Sequence, residues 1–167
     1  EGVATGAADG WYRMKDTPAS TLLHLGPGLA NGLANIHNAR RASSGMVNIV
    51  GEHSTSHLKY DPPLRSDIEG LARPVCDWVR RADSARAIAW DVAKAVAKAS
   101  EHPGKIATLI LPGDTSWQEA GVPVLPPRAS AARTAPDAAR VEHVARVLRS
   151  GEPMLIIQAN KATRGVA

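Results

Sequence analysis

Phenylalanine is missing from all 167 residues, and aromatic side chains make up 4% of them. With no Phe and much Ala, small side chains imply closely packed helices and a modest aromatic core, to which Trp11, Trp78, Trp90 and Trp117 belong as core or interface residues. One cysteine, Cys76, rules out an intrachain disulfide and fits a reducing compartment, where it reads as a small packing residue. The longest apolar stretch, residues 106–112, falls far short of the roughly 20 residues that span a bilayer, and no charged-then-apolar leader precedes it. The expectation is a soluble, cytoplasmic protein with no membrane partner.

Basic residues exceed acidic ones, 20 to 16, for a formal net charge of +4 and a pI near 9.6. Nucleic-acid binding would need them gathered beside groove-reading or base-stacking groups. They are scattered instead, as Arg40-Arg41, Arg80-Arg81, Lys94, Lys98 and a late helix with Arg140, Arg146 and Arg149. A solvated helix face accounts for them, and no nucleic acid is expected. A hydrophobic share of 44% with 22% charged residues is that of an ordinary globular domain, and the length suits one domain with the beginning of another.

Val3, Ala4, Ala7, Ala8 and Trp11 recur at helical spacing, with Asp9-Gly10 near the end of that helix. Thr21 to Leu25 is a short apolar run between Pro18 and Gly26 and reads as a buried strand. Leu29, Leu33 and Ile36 restore a helical period over residues 28–42, and Met46 to Val50 is a second strand. Residues 52–65 carry no period and much polarity, so they form a loop leaving the C-terminal end of that strand, where open parallel sheets bind ligands. Beyond it come a helical turn over 67–72 and a strand over 75–79 after Pro74. A helix capped by Asp83 or Ser84 follows, with Ala85, Ile88, Ala89, Val92, Val96 and Ala99 as its buried stripe, then a strand over 106–111. Residues 121–136, rich in Pro, Ala, Arg and Ser, read as an extended linker. Val141, Val144, Ala145 and Leu148 make one face of a last helix, Gly151 stops it, and Met154 to Ile157 reads as a strand. The pattern predicts an α/β fold, a three-layer open parallel sheet with helices on both faces.

Gly26, Gly28 and Gly32 follow the first strand as GxGxxxG and open a helix, while Glu52 ends the next strand about twenty residues on, where the acid that holds a ribose would sit. These are the parts of a dinucleotide-binding oxidoreductase. Pro27 weighs against it, because it occupies the turn whose backbone N–H groups should face a pyrophosphate and has none to give. A tight strand-to-helix turn that needs glycine for its dihedrals explains the same residues. His53 and His57, four apart, would suit a metal pair on a helix; their segment is not helical, no third ligand is apparent, and no metal site is expected. The plainest role for Glu1 is a negative charge in the first turn of a helix, which the macrodipole favours. A noncatalytic interaction module is a third class that these residues leave open.

Two stretches carry a family resemblance. EGVATGAADGWYRM, residues 1–14, and LLHLGPGLANGLANIHNARRA, residues 22–42, resemble the pyrimidine-binding (PYR) domain of thiamine-diphosphate enzymes, the family of acetolactate synthases and of 2-oxo acid decarboxylases such as benzoylformate decarboxylase. The resemblance implies that Glu1 is the catalytic carboxylate, exchanging a proton with the aminopyrimidine ring of the cofactor, for which it must be an acid in dry surroundings. GPGLAN, residues 26–31, resembles the family's GPGxxN element. It implies that Pro27 and Asn31 contact the pyrimidine and that Gly28 lets the backbone come close. IVGEHSTSH, residues 49–57, is similar to the family's strand-end element and implies that Glu52, His53 and His57 lie on the substrate side. LILPGDTSW, residues 109–117, resembles the strand that closes the domain.

By the same resemblance residues 1–120 are the PYR domain, 121–136 a linker and 137–167 the truncated start of a central α/β domain. The family's first strands precede the glutamate, so a chain that starts there without Met is expected to be a fragment, inactive alone. In the family, magnesium and the diphosphate are held by a C-terminal domain with a Gly-Asp-Gly motif, which neither Ala8-Asp9-Gly10 nor Pro112-Gly113-Asp114 supplies here. That domain belongs to a partner subunit, which implies a homodimer or homotetramer; the resemblance leaves FAD open and implies a small 2-oxo acid as substrate. Strict acetolactate synthases carry Lys and His after the pair matching Arg73-Pro74, where this chain has Asp77 and Trp78, and a Phe-Gln-Glu triplet where it has Pro63-Leu64-Arg65. A related carboligase or decarboxylase is therefore implied as readily as acetolactate formation.

Overall fold

Helix α1 (Gly2–Lys15) leads into strand β1 (Ala19–Leu23), helix α2 (Leu25–Arg41) and strand β2 (Met46–Glu52). A short helix α3 (Ile68–Ala72), strand β3 (Trp78–Arg81), helix α4 (Ile88–Ala99) and strand β4 (Ile106–Pro112) follow, all within the first of two compact units, residues 1–130. The computed structural model describes residues 1–125 and 135–158. Every strand pairing is parallel, in the order β1-β2-β4-β3.

That order explains the layers. Right-handed crossovers from β1 to β2 and from β2 to β3 run one way across the sheet and put α2 and α3 on one face; the return from β3 to β4 puts α4 on the other. Alternation along the strands feeds the two cores. Leu23, Met46, Val50, Ile106 and Ile110 meet Ala8, Leu29, Ile36, Ile68 and Ala72 on the first face, and Val47 and Ala107 meet Ala95 and Ala99 on the second.

A polar row crosses the first core. Thr21 Oγ1 donates to Asn48 Oδ1 (2.8 Å), Asn48 Nδ2 donates to Thr108 Oγ1 (3.3 Å), and Thr108 Oγ1 shares a hydrogen with Cys76 Sγ (3.1 Å). The three strand residues are register partners, so the row resists slippage of β1, β2 and β4. Cys76 ends this row as well as filling space, and burial pushes its thiol up to about 11.

Several ends and faces differ from the sequence expectation. α1 continues past Asp9-Gly10 to Lys15 and closes on Asp16 in left-handed backbone. It buries Thr5, Ala8, Asp9 and Tyr12, while Val3 is 89% and Trp11 51% exposed. The polar residues on the buried face are satisfied there, Asp9 by two bonds from Arg13 and one from Ser44 Oγ. β1 ends at Leu23 rather than Leu25, and Leu22 is 77% exposed on this edge strand, on the face that α4 leaves uncovered. β3 begins later than its apolar run because pairing sets its limits, from Trp78↔Ala107 to Arg81↔Ile110.

In the second unit, residues 131–167, α5 (Ala138–Arg149) opens on Asp137, whose Oδ1 accepts from Ala139 N at 3.0 Å. The strand expected over Met154 to Ile157 does not form. Among the described residues of this unit it has no neighbouring strand, and a lone strand leaves its backbone groups unpaired. Residues 126–134 of the expected linker, and 159–167, lie outside the described residues. Among the described residues no helix is long and apolar enough to cross a membrane.

Candidate functional site

All strands of a parallel sheet end on one side, and the loops leaving those ends gather polar side chains there. α1 brings Glu1 to that side through its seam with α2. Thr5 Oγ1 donates to Gly32 O at 3.2 Å, and a Cβ added at Gly32 would come within 2.9 Å of Thr5 Cγ2, so this crossing needs glycine. Asn35 Nδ2 donates to Gly2 O at 2.7 Å. One turn earlier on α2, Asn31 Nδ2 donates to Glu1 Oε2 at 3.3 Å. Glu1 is the N-cap of α1, yet its side chain caps nothing; its carboxylate is held by α2 while it stands at the positive end of its own helix.

The opening turn of α2 lies beneath. Leu25, buried and not glycine, has φ 56°, a strained backbone of the kind that clusters at functional turns. Pro27 falls in the first turn, where a missing N–H loses no helical partner, and the first helical bond runs from Gly28 N to His24 O at 2.8 Å. A Cβ added at Gly28 would lie 3.2 Å from Glu1 Oε1 and 3.3 Å from both His24 Cβ and Leu23 C. Glu1, His24, Pro27 and Asn31 are all exposed around this glycine. Sequence reasoning assigned nothing to His24; a strand end read at Leu23 would have marked it.

The dinucleotide alternative fails on two contacts. A Cβ added at Gly26 would lie 2.2 Å from Ser66 Cβ and Oγ, so Ser66 fills the space a pyrophosphate would need. Glu52 is no open ribose acid, since its side chain is 1% exposed. Its Oε1 accepts from His53 N at 2.8 Å and its Oε2 from Arg81 Nη1 at 3.2 Å.

Glu52 instead lines a cavity of about 540 Å³ together with Arg65, Ser66, Glu69, Arg73 and Arg81. Arg81 joins Glu52 to Glu69, and Arg73 pairs with the other oxygen of Glu69, so charges alternate around the wall. On the loop that follows Glu52, the His53 and His57 ring centroids are 5.9 Å apart, and His57 is 6.0 Å from the Tyr60 ring. His53 Nε2 is buried without a protein partner. Among the described residues no three His, Cys, Asp or Glu side chains gather to hold a metal ion. Two participants escaped sequence reasoning. Arg81 was grouped with scattered surface cations, and Asp114, which accepts from Thr55 N at 2.9 Å and Thr55 Oγ1 at 3.2 Å, sits beyond β4.

The structure thus brings Glu1, Gly28 and Asn31 together beside Pro27, and sets Glu52, His53 and His57 at the end of the neighbouring strand, β1 and β2 being paired through Leu23↔Val50. Asp77 and Trp78 lie at the opposite end of β3. Asp77 Oδ2 accepts from Ile106 N at 2.9 Å and Trp78 packs on the α4 cluster, so both positions support the sheet.

Residues 1–73 match the family model described as "Thiamine pyrophosphate enzyme, N-terminal TPP binding domain". The chain is 53% identical over 170 aligned residues to the "Putative acetolactate synthase large subunit IlvX" of Mycobacterium tuberculosis, an alignment covering 99% of this chain and 31% of that protein. Over 75 residues, 45% of this chain and 13% of the relative, it is 35% identical to an "Acetolactate synthase large subunit" of Buchnera aphidicola. Among solved structures it is similar to a "putative thiamin diphosphate-dependent enzyme isolated from Mycobacterium smegmatis", with a TM-score of 0.76 and 25% identity over 88% of this chain and 28% of that one. It also shares the fold of the benzoylformate decarboxylase of Polynucleobacter necessarius, with a TM-score of 0.74 and 23% identity over 87% of this chain and 28% of that one. The chain therefore spans about a third of the length of its near-full-coverage curated relative. With a matching N-terminal domain, a relative aligned along the whole chain and the fold of these enzymes, the chain belongs to the thiamine-diphosphate-dependent enzyme family, and its first unit is their PYR-type α/β domain.

Proposed function

We propose that this unit binds the aminopyrimidine of thiamine diphosphate in an acetolactate synthase-like enzyme acting on 2-oxo acids, with Glu1 as the residue that activates the cofactor. One geometry carries the proposal: Asn31 holds Glu1 Oε2 at 3.3 Å while Oε1 lies over Gly28, 3.2 Å from where a side chain would begin. The patch fits the edge of a flat ring, because glycine lets the Glu1 carboxylate come down onto the backbone and an acid and an amide stand together there to meet ring nitrogens. When bound, thiamine diphosphate would supply a carbon acid whose conjugate base, once its proton is removed, can add to the carbonyl of a 2-oxo acid and take up the electrons released on decarboxylation.

Glu1 Oε1 has the task of holding and taking back one proton at a ring nitrogen, and Asn31 keeps the carboxylate turned for it. Glu1, His24 and Pro27 are exposed, so a second surface has to cover them before water is excluded from a bound ring. We assign that cover to a domain of a partner subunit that also holds the diphosphate and magnesium, making the working unit a homodimer or homotetramer. His53 and His57, on the loop after β2, border the substrate, and the reaction is decarboxylation followed by protonation or carboligation.

In the complete enzyme loaded with thiamine diphosphate and magnesium, Glu1→Gln should bind cofactor nearly as wild type does and lose turnover of 2-oxo acids by on the order of a hundredfold or more. Wild-type turnover in that variant would remove Glu1 from the reaction. His53→Ala and His57→Ala should alter the ratio of protonated to carboligated product; an unchanged ratio and KM would leave them as surface histidines.

A further inference from the structure

We propose that Asp114 is a positioning residue, whose carboxylate fastens the loop carrying His53 and His57 to the end of β4 and so sets where the two imidazoles stand. The proposal rests on the reading of those histidines as substrate-facing.

β2 and β4 run in register as far as Glu52↔Pro112. There β2 leaves the sheet for the loop, and β4 passes into a 3-10 turn over Gly113–Ser116, closed by a bond from Thr115 Oγ1 to Pro112 O at 2.6 Å. A loop released at that point, held by nothing but its ends, would sample many positions for its side chains. Asp114 supplies the tie that the ladder no longer makes: its Oδ1 accepts from Thr55 N at 2.9 Å and from Thr55 Oγ1 at 3.2 Å. Gly113 lies against the same stretch, with an added Cβ 3.6 Å from Glu52 O and 3.7 Å from Ser54 N.

Thr55 stands between the two histidines, where one tie can hold the turn that carries them. It sits inside the turn closed by His57 N donating to Ser54 O at 2.8 Å, and that turn continues through Tyr60 N to His57 O at 3.0 Å. His53 precedes it and His57 follows it, their rings 5.9 Å apart, with His53 Nε2 meeting no protein partner. A carboxylate suits the position because a charge-assisted bond to a backbone N–H is stronger than a neutral one. The bond from the Thr55 N–H holds the Asp114 carboxyl below its ordinary range. Rate and product choice depend on reacting groups held to a fraction of an ångström, so a tie that never touches substrate still governs the chemistry.

The test uses the complete thiamine-diphosphate-loaded enzyme with isotope-labelled histidine and backbone nitrogen. Asp114→Ala should speed hydrogen exchange of the Thr55 amide by on the order of tenfold or more, and move the ring signals of His53 and His57. It should also change the product ratio or the KM for a 2-oxo acid while exchange of the cofactor's C2 proton keeps its wild-type rate. Asp114→Asn, which retains an acceptor oxygen, should recover most of each change. Thr55→Val, which deletes the hydroxyl bond alone, should fall between and keeps the proposal testable if Asp114→Ala fails to fold. Unchanged Thr55 exchange and histidine signals in these variants would overturn the proposal and leave the histidine reading standing. A freed loop with a wild-type product ratio in Asp114→Ala, where His53→Ala or His57→Ala does alter the ratio, would overturn the positioning role. If no variant alters the ratio, the histidine reading itself fails and takes the positioning role with it.

Discussion

Gly28→Ala separates folding from function at the point where α1, β1 and α2 meet. The added methyl would sit 3.2 Å from Glu1 Oε1, 3.3 Å from His24 Cβ and 3.3 Å from Leu23 C. All three distances are tighter than a methyl group ordinarily makes to carbon or oxygen, so each neighbour has to retreat by a few tenths of an ångström. Leu23 C is main chain in a paired strand and yields least; Glu1 is exposed, held by one 3.3 Å bond from Asn31, and yields most. Alanine gains about 1 kcal/mol over glycine inside a helix, while mild overpacking costs about 1 to 3 kcal/mol. Net stability should therefore change by no more than about 2 kcal/mol, measured as the urea midpoint at constant m-value. The retreat of the carboxylate is costlier for chemistry: a misplacement of about 1 Å can lose on the order of a hundredfold, so a few tenths should cost roughly tenfold in C2 proton exchange on bound thiamine diphosphate. Wild-type exchange in a normally folded Gly28→Ala protein would refute the claim that Glu1 acts from this position.

Other consequences follow from buried groups. Asn48→Leu removes two of the three side-chain bonds of the polar row and leaves Thr21 Oγ1 without its 2.8 Å partner, so the variant should lose about 1 to 3 kcal/mol in urea despite its greater hydrophobicity; equal or greater stability would contradict the role given to the row. Cys76, pushed up to about 11 by burial, should resist thiolate-directed reagents in the folded protein at about pH 8 and react once it unfolds; fast labelling of folded protein would contradict its placement. The Asp114 carboxyl is held below its ordinary 3.8, so its stabilisation is complete above that value and is lost as pH falls through the lower folded value. Wild type should accordingly shed stability faster than Asp114→Ala below about pH 4, with a constant difference between them above about pH 5, and parallel curves throughout would contradict the tie to Thr55.

The parallel three-layer fold was legible because apolar runs such as residues 46–50 and 106–111 are too short for helices, while 28–42 and 85–99 keep a helical period. Strand ends were less so. The last residue of β3 is decided by pairing with β4, not by its own apolarity, and misreading it hid Arg81 and with it the burial of Glu52. The inward face of α1 was illegible for a similar reason. Thr5 and Asp9 look like surface residues until Gly32 and Ser44, 27 and 35 positions away, take their hydrogen bonds. Glu1 and Asn31, 30 residues apart, could be joined from sequence through family resemblance and by no spacing rule. Asp114 reads in sequence as part of the closing element 109–117 and of a Pro-Gly-Asp run that completes no Gly-Asp-Gly motif, and its tie to Thr55, 59 residues away, follows no spacing rule.

The measurement closest to the central claim is the rate at which the C2 proton of bound thiamine diphosphate exchanges with deuterium, followed by NMR in wild type and Glu1→Gln with cofactor occupancy checked in both. The amide keeps the shape of the side chain but cannot give and take a proton. Exchange should slow by on the order of a hundredfold or more at equal occupancy, because the proton relay through Glu1 is lost. Exchange at the wild-type rate in Glu1→Gln would show that another acid activates the cofactor, and that the carboxylate held by Asn31 over Gly28 only shapes the start of α1.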